Sequence, residues 1–300
     1  MKNNYKVLLA PSYELAKDIK ADATVEAEYG DFCVEGTQIT LAHHGIRSAN
    51  PAPCNAEVTP LQNATILVSH LDLDAVGGVL AVMGKKINDD KFWEGAEFID
   101  VNGRHRIHEL DQEIQDKLNA VYAWNSTQER KPYNEIKDVT KDINKWKNIL
   151  DKVLDEKHPD HEFVIQTGKE WDTNVTQRVE SKLYADEENI RSFISDGMFC
   201  SDAYYSPNDK KIKNATVTYN TKFNAITIAF ADGGKLCSAK EIVQELWGPE
   251  AGGHNGIAGS PRNWDKTPEE VKMEFFKAIK ATEIALNKVK DKTKEIEKNR

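Results

Sequence analysis

The clearest hydrophobic segment of the chain is an apolar run at residues 64–69. It reads Ala-Thr-Ile-Leu-Val-Ser, which is typical of a strand that is covered on both faces of a parallel sheet. Leu80 to Met83 follow at helical spacing, and Phe98 and Ile99 begin another apolar run. We predict a second buried strand there, so that a strand, a helix and a strand form a βαβ unit.

The same periodicities predict further elements in the first two thirds of the chain. Residues 5–10 predict a strand, and Thr24–Tyr29 with Thr37–Leu41 predict a hairpin around a Gly-containing turn. Residues 110–155 and roughly 174–196 carry apolar positions at three- and four-residue steps, which predicts helices.

The last third alternates between strand and helix patterns. Residues 215–231 have period two, which predicts two antiparallel strands. Ser238 and Glu241 form a capping box that predicts a helix to Trp247, and Thr267 with Glu270 predicts the start of a long final helix. The fold class we predict is α/β, with a parallel-sheet N-terminal domain, a helical connector and a smaller α+β C-terminal domain.

Length and charge narrow the class of protein. Three hundred residues more often form two domains than one. We predict domains at 1–195 and 205–300, with residues 1–63 as an additional segment before the first motif. The net charge of −9 argues against broad binding to duplex DNA, because such binding requires a basic surface.

Cysteine spacing and hydropathy give the expected compartment. The four cysteines show no disulfide or zinc pattern, and no run approaches the length of a signal segment or a membrane span. We therefore expect a cytoplasmic protein that does not bind membranes.

A histidine and two aspartates follow the run at 64–69. His70, Asp72 and Asp74 occupy alternate positions, and extended backbone would send all three side chains to one face. An imidazole with two carboxylates suits a divalent ion such as Mn²⁺ or Mg²⁺. Gly77 and Gly78 then predict a tight turn into a helix whose N-terminus favours anions. We predict a metal site at the carboxyl end of this strand, where open α/β sheets bind ligands.

A second group of candidate ligands follows Phe98 and Ile99. Asp100 ends the second predicted strand, so a parallel pairing would bring its carboxylate beside the first group, where it could bridge two ions. His105 and His108 are three residues apart and would share one face of a helix. Two ions about 4 Å apart can activate a water and stabilise a leaving oxygen. We predict all three as ligands, with Asp74 and His108 as the catalytic residues.

A glycine-rich loop stands near the end of the chain. It reads Gly-Gly-His-Asn-Gly-Ile-Ala-Gly from position 252 to 259, and its glycines let the backbone approach a ligand closely. Gly252, Gly253, His254 and Asn255 are therefore candidate substrate contacts. Arg262 is another, because a guanidinium can bind two phosphate oxygens at once.

Together these motifs resemble those of the DHH phosphoesterase superfamily. Its first domain carries an HxDxD metal motif after a strand, and its second carries a GGH loop; here they stand at 70–74 and 252–254 in the same order. The resemblance is loose elsewhere within residues 64–262. It implies a hydrolase with two Mn²⁺ or Mg²⁺ ions that cleaves a phosphodiester or phosphomonoester of a small nucleotide or short oligonucleotide. His254 would contact the substrate phosphate.

The chain also departs from that family. It lacks the Asp-His-His triplet that gives the superfamily its name. The sequence Ala-His-His-Gly at 42–45 lies before the first motif, so His43 and His44 either add ligands or end a structural hairpin. Asp172 is a candidate for a later metal-binding aspartate of the family.

Three other functions fit the sequence. A degenerate family member would bind a nucleotide without cleaving it. A metallo-β-lactamase-type hydrolase has a comparable HxHxDH motif, but Asp72 and Ala75 replace two of its histidines here. A scaffold role is the third, and the amphipathic final helix also suits packing in a homodimer.

Overall fold

The computed structural model describes residues 4–129, 134–197 and 199–298, with side chains described as far as Lys290. The chain forms two compact units. The first comprises Met1–Gly103 and Ile107–Asp172, and the second comprises Arg104–Arg106 and Thr173–Arg300. The division after Asp172 comes earlier than the boundary that the sequence indicates, because residues 183–195 form strands of the second unit's sheet.

The first unit alternates strands and helices. Its strands are β1 (Lys6–Leu9), β2 (Ala23–Val25), β3 (Glu28–Tyr29), β4 (Phe32–Cys33), β5 (Ile39–Leu41), β6 (Thr65–Val68) and β7 (Lys137–Asp138). Its helices are α1 (Tyr13–Ala16), α2 (Leu73–Val82), α3 (Asp90–Asn102), α4 (Gln112–Ser126) and α5 (Thr140–Leu154), while α6 (His161–Glu180) begins here and ends in the second unit. Short 3₁₀ helices span Gly45–Arg47, Pro53–Asn55 and Arg104–Glu109.

The main sheet of the first unit has the order β5-β2-β6-β1-β7. The first four strands are parallel, with Val7 opposite Ile66 and Val25 opposite Val68, and only β7 runs antiparallel to its neighbour. The predicted strands at 5–10 and 64–69 are confirmed, as is the α/β fold class. Because the strands are parallel, their carboxyl ends lie along one edge of the sheet.

The predicted hairpin of Thr24–Tyr29 with Thr37–Leu41 is wrong. β2 and β5 pair in parallel, so the chain must cross over between them. The small hairpin of β3 and β4 occupies part of that crossover. Glu26 starts the departure from β2 in a left-handed backbone conformation with φ of 49°.

The strand predicted at Phe98–Ile99 is also wrong, and with it the βαβ unit. These residues lie in α3, where the Asp89 carboxylate accepts a hydrogen bond from the Phe92 amide at 3.1 Å and caps the helix. Buried Trp93, Ala96 and Ile99 recur at three-residue steps along it. The helical periodicity over the whole segment therefore outweighs the two adjacent apolar residues.

Gly77 and Gly78 lie inside α2 and do not form the predicted turn. A Cβ on Gly77 would lie 2.5 Å from the Cβ of Cys54, and one on Gly78 would lie 2.7 Å from the Cβ of Pro53. The two glycines therefore allow close packing between α2 and the segment at Pro53–Asn55.

The second unit is built on a sheet of order β14-β15-β13-β12-β9-β8. Its strands are β8 (Leu183–Asp186), β9 (Ile190–Ser195), β10 (Tyr205–Ser206), β11 (Lys211–Ile212), β12 (Ala215–Asn220), β13 (Ala225–Phe230), β14 (Gly252–Gly253) and β15 (Ile257–Gly259). Its helices are α7 (Ala239–Trp247) and α8 (Pro268–Lys298), with a 3₁₀ helix at Ser201–Tyr204. Both α-helices contact the sheet, and buried Val271 and Phe275 of α8 join its core.

Local signals at 215–231 and at the helix starts are confirmed. β12 and β13 pair antiparallel. Ser238 Oγ accepts from the Glu241 amide, and Thr267 and Glu270 exchange side chain–backbone hydrogen bonds in both directions. The helix predicted at 174–196 is correct only to Glu180, because the following residues pair as β8 and β9. Within the described part of the chain, no helix has the length and apolar character needed to cross a membrane.

Candidate metal centre

Acidic and histidine side chains gather at the carboxyl edge of the first unit's parallel strands. Glu26 follows β2, His43 and His44 follow β5, and His70 follows β6. Together with Asp72 and Asp100 they form two groups. Within each group the ligand atoms lie within 4.8 Å of one another, so each group could hold a metal ion. One group contains Glu26, His43, His44 and Asp100, and the other contains Glu26, His70 and Asp72.

Glu26 belongs to both groups. Its Oε1 lies 2.9 Å from His43 Nε2 and 3.0 Å from His44 Nε2, and its Oε2 lies 3.0 Å from His70 Nε2. The side chain is fully buried. Its positive φ is uncommon for a residue other than glycine, and such backbone strain is concentrated at functional sites. The two carboxylate oxygens therefore face two different sets of ligands, as a bridging carboxylate requires.

Ser69 fixes the orientation of the His70 ring. The Ser69 hydroxyl donates to the Glu26 carbonyl oxygen, and Ser69 Oγ lies 2.8 Å from His70 Nδ1. Because the hydroxyl proton is already used, we infer that Nδ1–H donates to Oγ, so that the neutral form of the ring would carry its lone pair on Nε2. That nitrogen lies 2.9 Å from Asp72 Oδ2, while Asp72 Oδ1 caps α2 by accepting from the Ala75 amide. The ring is thus held with Nε2 towards the ligand group.

Glu28 performs a similar role for the histidine pair. Its carboxylate accepts hydrogen bonds from the backbone amides of His43 at 3.0 Å and His44 at 3.2 Å. Arg47 lies 3.7 Å from the same carboxylate. These contacts fix the turn that follows β5 and direct both imidazoles to Glu26.

Asp74 and Asp100 complete the cluster from two helices. Asp74 Oδ1 accepts from the Cys54 amide at 2.8 Å, and its Oδ2 lies 3.2 Å from His43 Nε2. Asp100 Oδ2 lies 3.5 Å from the same nitrogen. The predicted convergence of Asp74 with Asp72 along extended backbone is wrong, because α2 begins at Leu73 and the helix carries Asp74 towards His43.

Three buried carboxylate oxygens in the cluster face histidine nitrogens. They are Glu26 Oε2, Asp74 Oδ2 and Asp100 Oδ2. Each faces a histidine nitrogen, at 3.0, 3.2 and 3.5 Å respectively. Buried carboxylate oxygens need a positive partner, which protonated imidazoles supply in the metal-free protein and which a bound cation would supply in their place.

The short distances between these ionisable groups shift their pKa values. Hydrogen bonds to Asp74 and Glu26 raise the pKa of His43 to about 10. Burial opposes a similar rise at His70, but hydrogen bonds to Asp72 and Glu26 raise its pKa to about 10 as well. Burial and the neighbouring carboxylates raise the pKa of Asp100 to about 6. Burial alone would raise the pKa of Glu26, yet His43 and His70 hold it well below its usual range.

These pKa values predict that metal binding releases protons. At pH 7.5 the metal-free protein holds protons on His43 and His70, whose folded pKa of about 10 exceeds the unfolded value of about 6.5. Each proton therefore adds stability below about pH 6.5, and that stability is lost as the pH rises towards 10. Mn²⁺ needs neutral imidazoles, so we expect its binding to release roughly two protons.

Calorimetry in buffers of different ionisation enthalpy measures that release. His43→Gln should lower it by roughly one proton, whereas His158→Gln, which changes a histidine outside both ligand groups, should leave it unchanged. Binding at pH 7.5 without any proton release would contradict the prediction.

Other predicted ligands are not brought into the cluster. His105 is buried and packs against Tyr204, with ring centroids 4.8 Å apart. Among the described residues, neither ligand group contains His105, His108 or Asp172, and neither contains Asp74, which lies beside His43. The 3₁₀ helix that follows α3 carries both histidines, so they do not continue the helical face of Asp100.

The glycine-rich loop belongs to the second unit. His254 and Ile257 exchange backbone hydrogen bonds of 2.7 and 3.2 Å that close a turn between β14 and β15. Asn255 anchors the turn to α7, since its Oδ1 accepts from the Ser238 hydroxyl at 2.9 Å. His254 and Arg262 are exposed. Their predicted contact with a substrate phosphate stays a prediction.

Sequence reasoning missed Glu26 and its partner Glu28. The available signal was the segment Thr-Val-Glu-Ala at 24–27, where an acidic residue interrupts an apolar run at the end of a strand. The predicted hairpin gave Glu26 no functional role. Only the parallel pairing of β2 with β5 and β6 brings it between His43 and His70.

Fold and site together define an α/β protein with a candidate metal centre at the carboxyl edge of a parallel sheet. No family model and no curated protein matches the sequence. A crystal structure of an uncharacterized protein from Helicobacter pylori G27 aligns with 81% of this chain and 74% of its own, at 13% identity and a TM-score of 0.25. A similarity this weak carries no argument about fold or function.

Proposed function

We propose that the centre binds two divalent metal ions and that the protein hydrolyses a phosphate ester. The observation that carries the proposal is the position of Glu26, which is shared by two ligand groups and presents a different oxygen to each. A shared carboxylate of this kind supports two ions at the short separation used for phosphoryl chemistry, roughly 4 Å.

The donor set favours Mn²⁺, with Mg²⁺ as the alternative. The two groups together offer three carboxylates, from Glu26, Asp72 and Asp100, and three imidazoles, from His43, His44 and His70. Carboxylate oxygens suit Mn²⁺ and Mg²⁺, while the imidazoles favour Mn²⁺ over Mg²⁺. The nearby Cys54 does not supply a thiolate, since burial raises the pKa of its thiol far above the usual range and its Sγ bonds to the Trp93 carbonyl oxygen.

The reaction class follows from what such a site does to a phosphate ester. Divalent ions lower the pKa of a coordinated water and neutralise charge on the phosphoryl oxygens. The protein's part is to hold the ligands in place before substrate arrives, through Ser69 on His70, Glu28 on the histidine pair and Cys54 on Asp74. A nucleotide or short oligonucleotide is the substrate that the DHH resemblance favours.

The histidine pair of the cluster is relevant to the resemblance to the DHH phosphoesterases. His43 and His44 bring two adjacent histidines to Glu26, although they precede the motif at 70–74 in the chain. The placement near the DHH phosphoesterases stays part of the proposal and rests on the motifs at 70–74 and 252–254. A cytoplasmic location and a homodimer stay predictions.

Hydrolysis of bis(p-nitrophenyl) phosphate tests the function. We expect turnover with Mn²⁺ that chelation abolishes and that Asp74→Asn lowers by about 10- to 100-fold, because Asp74 lies outside both ligand groups and supports the candidate ligand His43. Asparagine keeps the acceptor for the Cys54 amide, so the fold is preserved.

Asp160→Ala provides the control, since Asp160 pairs with Lys152 at the surface of the same unit. It should retain normal turnover. Mn²⁺ binding without hydrolysis of this ester or of any dinucleotide would contradict the enzymatic proposal and favour a nucleotide-binding protein.

A further inference from the structure

A cavity of about 780 Å³ adjoins the metal centre within the first unit. His70 and Asp72 line it and also belong to one of the ligand groups. The rest of its lining comes from the end of β1, from the last turn of α4 with the residues after it, and from α5. The volume lies in the range of small-molecule binding sites, roughly 300–1,000 Å³.

Strand order explains why the cavity lies beside the ligands. The metal-binding residues follow β5, β2 and β6, and β1 is the next strand beyond β6. Leu9 ends β1, and Pro11 follows it into the wall of the cavity. The cavity therefore continues the same carboxyl edge past β6. A substrate whose phosphate lies at His70 and Asp72 would extend its remaining part into this space.

The lining has the chemistry that a flat heterocyclic ring requires. Trp124 is half-buried and packs edge-to-face on the buried Trp146, with ring centroids 4.9 Å apart and an interplanar angle of 73°. Asn125 and Gln128 also line the cavity and carry side-chain amides. Gln128 Nε2 donates to the backbone carbonyl oxygen of Trp124 at 3.2 Å, which holds this amide against the end of α4. An indole with adjacent amides provides a stacking surface and groups that hydrogen-bond to ring edges.

We propose that this cavity binds the nucleoside part of a nucleoside phosphate, with the base stacked on Trp124. The inference rests on the proposed function, since the metal centre would hold the phosphate. It assigns base selection to the first unit, to a surface built by α4 and α5, independently of the glycine-rich loop. Trp124 acts as a specificity-determining residue, and Trp146 positions its ring.

Equilibrium binding of AMP and ribose 5-phosphate, measured by calorimetry with Mn²⁺ present, tests this assignment. The two probes share the phosphate and the sugar and differ only in the base. We expect AMP to bind about tenfold more tightly, in line with the contribution of stacking on an aromatic side chain. Trp124→Leu should remove this preference without weakening ribose 5-phosphate, and Trp124→Phe should restore most of it.

Trp171→Leu is the matched control, because Trp171 stacks on Tyr122 in the same unit but does not line the cavity. This variant should keep the preference for AMP. Equal binding of the two probes by the wild type, or a preference that survives Trp124→Leu, would overturn the assignment even if phosphate esters are hydrolysed. A preference that depends on Trp124 would uphold it even if no ester is hydrolysed, so its failure and that of the proposed function are distinguishable.

Discussion

Replacing Glu26 by glutamine is expected to remove at least one of the two ions from the proposed metal centre. The substitution preserves side-chain volume but removes the charge that both ligand groups share. Loss of a supporting hydrogen bond in a metal site typically costs 10- to 100-fold in affinity, so we expect loss of this direct ligand to cost more than about 100-fold. Titration with Mn²⁺ should show the stoichiometry falling from two ions to one or none, and hydrolysis should be lost.

Two further variants sharpen that experiment. Ser69→Ala leaves all ligands in place but removes the hydroxyl that orients His70, so its loss of affinity should fall within about 10- to 100-fold. Glu57→Gln changes an exposed carboxylate of the same unit and should have no effect. If Glu26→Gln still bound two Mn²⁺ ions with wild-type affinity, the bridging role of Glu26 would be excluded.

The second large effect is expected on stability, at Arg191 in the second unit. This guanidinium is fully buried; it donates to Glu180 Oε1 at 2.5 Å, ion-pairs with Asp186 at 3.4 Å and donates to the carbonyl oxygens of Ala203 and Tyr205. Arg191→Met would keep the apolar stem and leave these acceptors without their donor. Breaking a buried ion pair on one side typically costs about 3–5 kcal/mol, and we expect that loss in the free energy of unfolding.

Hydrogen exchange of the β9 and β12 amides, combined with urea unfolding, measures this loss in the unit concerned. Lys182→Met is the matched control, because its ion pair with Asp196 in the same unit is exposed and such pairs contribute about 1 kcal/mol or less. Equal protection of β9 in the two variants would show that the Arg191 network does not stabilise the sheet.

The sequence predicts some of the candidate ligands and misses others, and the difference has a physical reason. The sequence predicts His70 and Asp72 as candidate ligands because both follow one continuous apolar strand and lie close together in the chain. The other candidate ligands follow other strands or, in the case of Asp100, lie on α3. Glu26 and His43 reach His70 only through the order β5-β2-β6, which places residues distant in sequence at one edge.

Asp100 shows a different way in which local reasoning fails. Its placement near the metal motif was predicted from a strand, and the structure brings it there on a helix. The carboxylate reaches the cluster because α3 packs beside α2, as its buried Phe92 and Trp93 require. Asp100 thus lies beside the other candidate ligands, as predicted, but on a helix and not on a strand. A two-residue apolar run does not distinguish a strand from a buried helix turn.

By itself, the sequence determined those features whose causes are local. The apolar run of β6, the alternation of β12 and β13, and the capping boxes at Ser238 and Thr267 depend on residues a few positions apart. The tertiary structure alone decided that β2 and β5 are parallel, that Glu26 is shared by two ligand groups and that a tryptophan-lined cavity adjoins them. These depend on contacts between distant segments, where packing of the whole sheet outweighs local preference.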